Sequence, residues 1–223
     1  MRTLAIGDIH GCRRSFEALA DYVSISPDDT LVTLGDYVDR GPDSKGVIDR
    51  LIALADHCKL IPLLGNHEIM MRRACGDLAT LTPWLGHGGR ETLASYGGDT
   101  FDTVPESHWA FILACRSHHE DDTHFFVHAN ADADTPLADQ PDFTRYWEPF
   151  GSPAPHQSGK IMVCGHTSQK SGLPKNVGHA ICIDTNACRG GWLTCLDTGS
   201  GTYWQTNEAG DRRMDKIACR LED

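Results

Sequence analysis

The first half of the chain alternates short apolar runs with stretches of helical periodicity. Thr3 to Ile6 predicts a buried strand, and after it Phe16, Leu19, Ala20 and Val23 recur at the spacing of one helical face. Leu31 to Leu34 repeats the strand pattern, and Val47, Ile48, Leu51, Leu54 and Ala55 mark a second helical face. Leu60 to Leu64 is a third strand, with a short helix expected after Asn66. Strands that alternate with helices in this way predict parallel pairing, and a parallel sheet needs helices on at least one face.

The pattern then changes. From about Met70 to Glu120 the chain is richer in Gly, Arg, Trp and His, with a helix expected over Glu106 to Arg116, and the stretch reads as an insert that packs over a site as a cap. Strands return at Thr123 to Val127, Lys160 to Cys164, Ala180 to Asp184, Trp192 to Asp197 and Thr202 to Gln205. The turn-forming Asp197-Thr-Gly-Ser-Gly201 joins the last two as a hairpin. Ala131 to Gly159, rich in Pro and Asp, is expected to be a long loop kept for function, and the C-terminus is polar.

A length of 223 residues, 40% hydrophobic, suits a single domain, 1–223, with the cap-like insert at about 70–120. A formal net charge of -11 with no clustered Lys and Arg argues against a nucleic-acid polymer as partner. No stretch approaches the roughly 20 apolar residues of a membrane span, so no membrane partner and a cytoplasmic location are expected. Nine cysteines run from Cys12 to Cys219 without a Cys-x-x-Cys pair. They read as reduced thiols, with Cys164, Cys182 and Cys195 packed as small hydrophobes inside apolar runs.

The candidate chemistry lies where the strands end. Five apolar runs each finish in a residue type that binds metals: Asp8 and His10, Asp36, Asn66, His128 and His166. In open α/β sheets the carboxyl ends of strands converge on one crevice, so these groups are expected to meet. Gly7, Gly35, Gly65 and Gly165 stand immediately before four of them, where a side chain would crowd an ion or phosphate. Any one such Asp is commonly a turn former or helix cap. Five strand ends together favour metal binding. The mixed nitrogen and oxygen set, without thiolates, suits manganese, iron or zinc, and six ligands suit two divalent ions with Asp36 as the bridge. Two such ions less two carboxylates leave the site about +2, attractive to phosphate.

At these residues the sequence resembles the phosphoprotein phosphatase family of metallophosphoesterases, in particular its bacterial and phage branch. The motifs are Gly7-Asp8-Ile-His10-Gly11, Gly35-Asp36-Tyr-Val-Asp39-Arg40-Gly41, Gly65-Asn66-His67-Glu68, His128-Ala129 and Gly165-His166-Thr167. The resemblance implies a four-layer α/β/β/α sandwich of mixed sheets. It implies that Asp8, His10 and Asp36 hold one ion and that Asp36, Asn66, His128 and His166 hold the other. A hydroxide bound between the ions would attack phosphorus, Arg40 would grip the phosphate with Asn66, and His67, oriented by Asp39, would protonate the leaving group. Manganese is the expected metal, with iron or zinc as alternatives.

One departure concerns a second phosphate-binding arginine. Family members carry one near a Trp; here Trp147 is followed by Glu148, and the nearest candidate is Arg145, with Arg72, Arg73 and Arg90 of the insert as other options. Trp84 to Gly97 also resembles the insert of bacterial members, and it either shapes substrate access or packs as a Gly-rich loop. The leading expectation is a phosphatase acting on phosphorylated Ser or Thr, and also Tyr, of proteins, or on a small phosphoester. The alternatives are a hydrolase of dinucleoside polyphosphates such as diadenosine tetraphosphate, and a non-catalytic phosphate-binding module.

Overall fold

The computed structural model describes residues 1–217, so Cys219 and the end of the polar C-terminus lie outside the described residues. The expected alternation is present as β1 (Thr3–Ile6), α1 (Arg13–Val23), β2 (Thr30–Thr33), α2 (Ser44–Ala55), β3 (Lys59–Pro62) and α3 (Asn66–Gly76). Three further helices follow, α4 (Leu78–Trp84), α5 (Arg90–Ser95) and α6 (Glu106–Ala114). The remaining elements are β4 (His118–Glu120), β5 (His124–Val127), α7 (Asp142–Tyr146), β6 (Ile161–Cys164), β7 (Lys175–Asn176), β8 (Ala180–Cys182), β9 (Leu193–Asp197), β10 (Thr202–Thr206) and β11 (Arg212–Lys216).

These strands form two mixed sheets, ordered β11-β10-β9-β1-β2-β3 and β4-β5-β6-β8-β7. β1, β2 and β3 pair in parallel, as the helical crossovers require, while β9 closes onto the other edge of β1 in antiparallel register, Ala5 opposite Leu196. Within each strand the side chains alternate between two apolar layers. Leu4 and Ile6 of β1 join Phe16, Leu19, Val47 and Leu51 beneath the helices, whereas Ala5 faces the other way. There Ala5, Val32 and Ile61 meet Phe126, Val163 and Ile181 of the second sheet. Phe125 and Val127 point away from that interface, onto Leu137 and Phe150. The mixed α/β sandwich expected from the sequence is therefore the fold. Its outermost layer over the second sheet is the 131–159 segment, which carries only α7 and a 3-10 turn at Leu137–Asp139.

Three strands escaped the hydrophobic pattern. β4 and β7 are three and two residues long, and β11 is Arg-Arg-Met-Asp-Lys. β11 lies at the end of its sheet, where charged residues are the usual means of preventing further strand addition. Its Arg213 reaches inward to Gln205 Oε1 at 2.6 Å and lies 4.1 Å from the Trp192 ring centre. The 70–120 stretch joins the first-half core through buried Met71, Trp84, Leu93, Tyr96, Val104 and Ile112. The described cysteines are all free, and Cys164, Cys182 and Cys195 are buried as expected. No helix among the described residues is long and apolar enough to cross a membrane.

The N-terminus of β1 is tied to the entry of β2 by a fork: Arg2 Nη2 and Nε donate to the two Asp29 oxygens at 2.6 and 3.1 Å. With the Ser26 N–H also donating, the Arg2 guanidinium holds the Asp29 carboxyl down at about 2. A carboxylate depressed on folding stabilises the protein above its unfolded pKa of roughly 3.9 and loses that contribution as pH falls toward 2. Because Arg2 is 32% exposed, about 1–2 kcal/mol is expected rather than the full shift. Urea unfolding of Asp29→Asn beside the parent should show that gap at pH 7 and its closure near pH 2; a gap independent of pH would sink the assignment.

Candidate metal and phosphate site

The ligand-type residues meet at the carboxyl ends of β1, β2, β3, β5 and β6, as their positions in sequence predict. Asp36 is central. His10 Nε2 lies 3.4 Å from Asp36 Oδ2 and His128 Nε2 lies 3.5 Å from Asp36 Oδ1, so the two oxygens face different imidazoles. Among the described residues two groups of ligand atoms lie within 4.8 Å of one another, His10 with Asp36 and His67, and Asp36 with His128 and His166. Asp8 belongs to neither group and accepts the His166 backbone N–H at 3.0 Å. Burial, with Asp184 and Asp36 close by, raises the Asp8 carboxyl well above the ordinary range. A cluster of this kind calls for a cation.

Tautomers test that reading. His128 Nδ1–H donates to the Leu34 carbonyl at 2.7 Å, and His166 Nε2–H donates to the Trp147 carbonyl at 3.2 Å. Burial lowers the two rings to about 3 and about 4, so both are neutral and each has one lone pair remaining. Both lone pairs point at Asn66 Oδ1, from 2.9 and 3.0 Å. Three acceptors thus converge with no proton to share, an arrangement that a divalent ion satisfies. His10 is likewise fixed by Nδ1 on the Val38 carbonyl at 2.9 Å with Nε2 facing Asp36, but its Nε2 lone pair already accepts from Arg40.

The backbone is built around these groups. Among the described residues, seven non-glycine residues have positive φ, and five of them are His10, Asp36, Asp39, Arg40 and His166. Left-handed backbone at such residues costs on the order of 1 kcal/mol or more each, and it concentrates where function demands it. A Cβ on Gly65 would strike Asp36 Oδ1, and one on Gly165 would strike Asp8 Oδ1. Those two glycines are needed for close approach. The turn at 36–38 is held by Glu68, which takes the N–H groups of Asp36, Tyr37, Val38 and Gly65 at 2.8–3.2 Å.

His67 Nδ1–H donates to Asp39 Oδ2 at 2.7 Å, which leaves Nε2 turned toward the cluster, 4.0 Å from Asp36 Oδ2. Burial lowers His67 to about 4 and raises Asp39 to about 7. Asp39 is further fixed by Trp84 Nε1–H at 2.9 Å and Thr92 Oγ1–H at 2.8 Å, both from the 70–120 stretch. Arg40 Nη1 donates to His10 Nε2 at 2.7 Å, so its guanidinium lies at the edge of the cluster.

Arg145 points elsewhere. Its Nη2 donates to the carbonyls of Leu137, Ala138 and Gln140 at 2.9–3.3 Å, bracing the loop instead of facing the cluster. Arg72, Arg73 and Arg90 are exposed. Asp184, expected as the last residue of a strand, instead follows β8 just as Asp8 follows β1. It is buried, accepts Ser168 Oγ–H at 2.6 Å and lies close enough to Asp8 to raise it.

Comparison with known proteins agrees with this geometry. The sequence pattern of the calcineurin-like phosphoesterases matches residues 1–176. A symmetrical bis(5'-nucleosyl)-tetraphosphatase of Acidovorax sp. strain JS42 is 45% identical over 75 residues, 33% of this chain and 26% of that protein. The chain thus aligns with only about a quarter of that relative's length. Among solved structures, a protein assigned as a diadenosine tetraphosphatase superposes with a TM-score of 0.68 at 21% identity, covering 97% of this chain and 94% of the other. A cold-active protein-tyrosine phosphatase of a psychrophilic Shewanella sp. gives 0.62 at 16% identity, covering 96% and 80%. At those identities the two structures speak for the fold alone.

Proposed function

Because the chain belongs to the calcineurin-like phosphoesterase family and is a phosphoester hydrolase, we propose that it cleaves dinucleoside tetraphosphates symmetrically. One water is consumed at the central anhydride, and two nucleoside diphosphates leave. The observation that carries a metal-assisted reaction is the convergence of two neutral histidines and Asn66 Oδ1 beside a buried Asp36. The local identity to tetraphosphatases favours the dinucleotide over the phosphorylated Ser or Thr that the sequence resemblance put first.

Asp8, His10 and Asp36 would hold one divalent ion, and Asp36, Asn66, His128 and His166 a second; manganese is proposed, with iron or zinc suited to the same donors. Such a pair, when bound, supplies Lewis acidity toward phosphate oxygens and a water of lowered pKa. The chain's own residues do the rest. Arg40 offers a planar fork to the phosphate and stabilises charge as the bond breaks, and Asn66 adds an amide N–H. His67, with its Nδ1–H held by Asp39, has a lone pair on Nε2; once Nε2 is also protonated, the Asp39 carboxylate stabilises the imidazolium, which would pass that proton to the departing oxygen. Trp84 and Thr92 keep Asp39 in place and so set the direction of His67.

The test is turnover with added manganese on three substrates, diadenosine tetraphosphate, a phosphoserine peptide panel and p-nitrophenyl phosphate. The dinucleotide should give the highest kcat/KM, at least about 10-fold above any peptide, corresponding to roughly 1.4 kcal/mol of preferential transition-state binding. Peptide preference would overturn the substrate, and no turnover on any of the three would overturn the metal chemistry.

A further inference from the structure

A cleft of about 450 Å³ opens between α3 and α7, outside the ligand cluster. That volume is within the range of small-molecule sites. Two links tie it to the cluster. Trp147 lines the cleft with its side chain exposed in part, and its carbonyl is the group that fixes His166. Asn66 begins α3, and Arg72 and Arg73, which also line the cleft, come roughly 10 Å further along the same helix at 1.5 Å per residue.

The lining is chemically divided. Leu64 and Ile69 supply apolar surface, and Tyr146 and Trp147 supply aromatic surface. Arg72 and Arg73 are exposed and take part in no ion pair among the described residues, although the protein as a whole carries a net charge of -11. Two unpaired guanidinium groups in an acidic protein, beside aromatic rings and one helix away from a phosphate-type centre, match an anion that continues into a planar base. Asp142 at the rim adds a carboxylate suited to a ribose hydroxyl or an exocyclic amine.

We propose that this cleft holds one nucleoside end of the dinucleoside polyphosphate, with Arg72 and Arg73 on the phosphates beyond the scissile one and the half-exposed Trp147 against the base, Tyr146 being buried beside it. The assignment rests on the substrate reading above. It gives the substrate a direction: the chain of phosphates runs from the cluster along α3 toward its carboxyl end.

The experiment compares manganese-loaded parent, the double variant Arg72→Ala/Arg73→Ala and the conservative Arg72→Lys/Arg73→Lys, on diadenosine tetraphosphate and on p-nitrophenyl phosphate. Both arginines are exposed, so folding is preserved, and circular dichroism checks it. The Ala variant should raise KM for the dinucleotide about 10- to 100-fold, the loss expected for charge-assisted hydrogen bonds, while KM for the aryl phosphate stays within about 2-fold. The Lys variant should recover part of that loss. An unchanged dinucleotide KM overturns the cleft assignment alone, and equal loss on both substrates overturns it by placing the arginines at the scissile phosphate. A parent that hydrolyses the aryl phosphate but not the dinucleotide overturns the substrate reading itself, and the assignment with it.

Discussion

Replacing His67 by Gln is expected to slow hydrolysis of an alkyl phosphate monoester, such as a phosphoserine peptide, by about 10²–10⁴-fold, the usual contribution of a general acid. An alkoxide is a strong base and leaves only with a proton. The loss should shrink to about 10-fold or less on p-nitrophenyl phosphate and on diadenosine tetraphosphate, whose leaving oxygens are weakly basic and depart without help. This dependence on the leaving group separates proton donation from metal binding, which the geometry also permits, since His67 Nε2 lies within the first ligand group. If the variant loses the same factor on all three substrates and metal analysis finds one ion fewer, His67 is a ligand and the proton-donor role fails.

The second large effect concerns stability. Glu68→Ala is expected to cost about 3–5 kcal/mol, because it leaves three backbone N–H groups of the buried 36–38 turn and that of Gly65 without an acceptor. Asp36 sits in that turn with φ of 51°, a conformation maintained only by its surroundings. The same variant should therefore bind manganese more weakly even where it remains folded. Urea unfolding measures the first consequence and isothermal titration of the apo protein the second; a change under 1 kcal/mol in stability would show that the turn holds without Glu68.

Much of this was legible in the chain itself. The parallel β1-α1-β2-α2-β3 unit follows from the period of its apolar residues, and the ligands follow from the rule that strand ends in such sheets face one crevice. Asp184 obeys the same rule, but the apolar pattern runs the strand on to residue 184, whereas β8 ends at Cys182 and leaves Asp184 beyond the strand end. Other features were out of reach. Trp84 and Thr92 contact Asp39 across 45 and 53 residues, and no local pattern links them. Arg145 has the residue type of a phosphate ligand, but three nearby carbonyls claim its guanidinium, a competition visible only in three dimensions. β11 lacks a hydrophobic face, so periodicity is silent about it.

The antiparallel pairing of β1 with β9 constrains the order of events during synthesis. Gly7 N–H, one residue before Asp8, donates to the Thr194 carbonyl, so the turn that delivers Asp8 is anchored by a residue almost two hundred positions downstream. While the ribosome is still producing the segment between them, one edge of the first strand stays open to any passing chain. The nascent protein carries its future reaction centre half assembled and adhesive until residues 193–197 emerge and seal it.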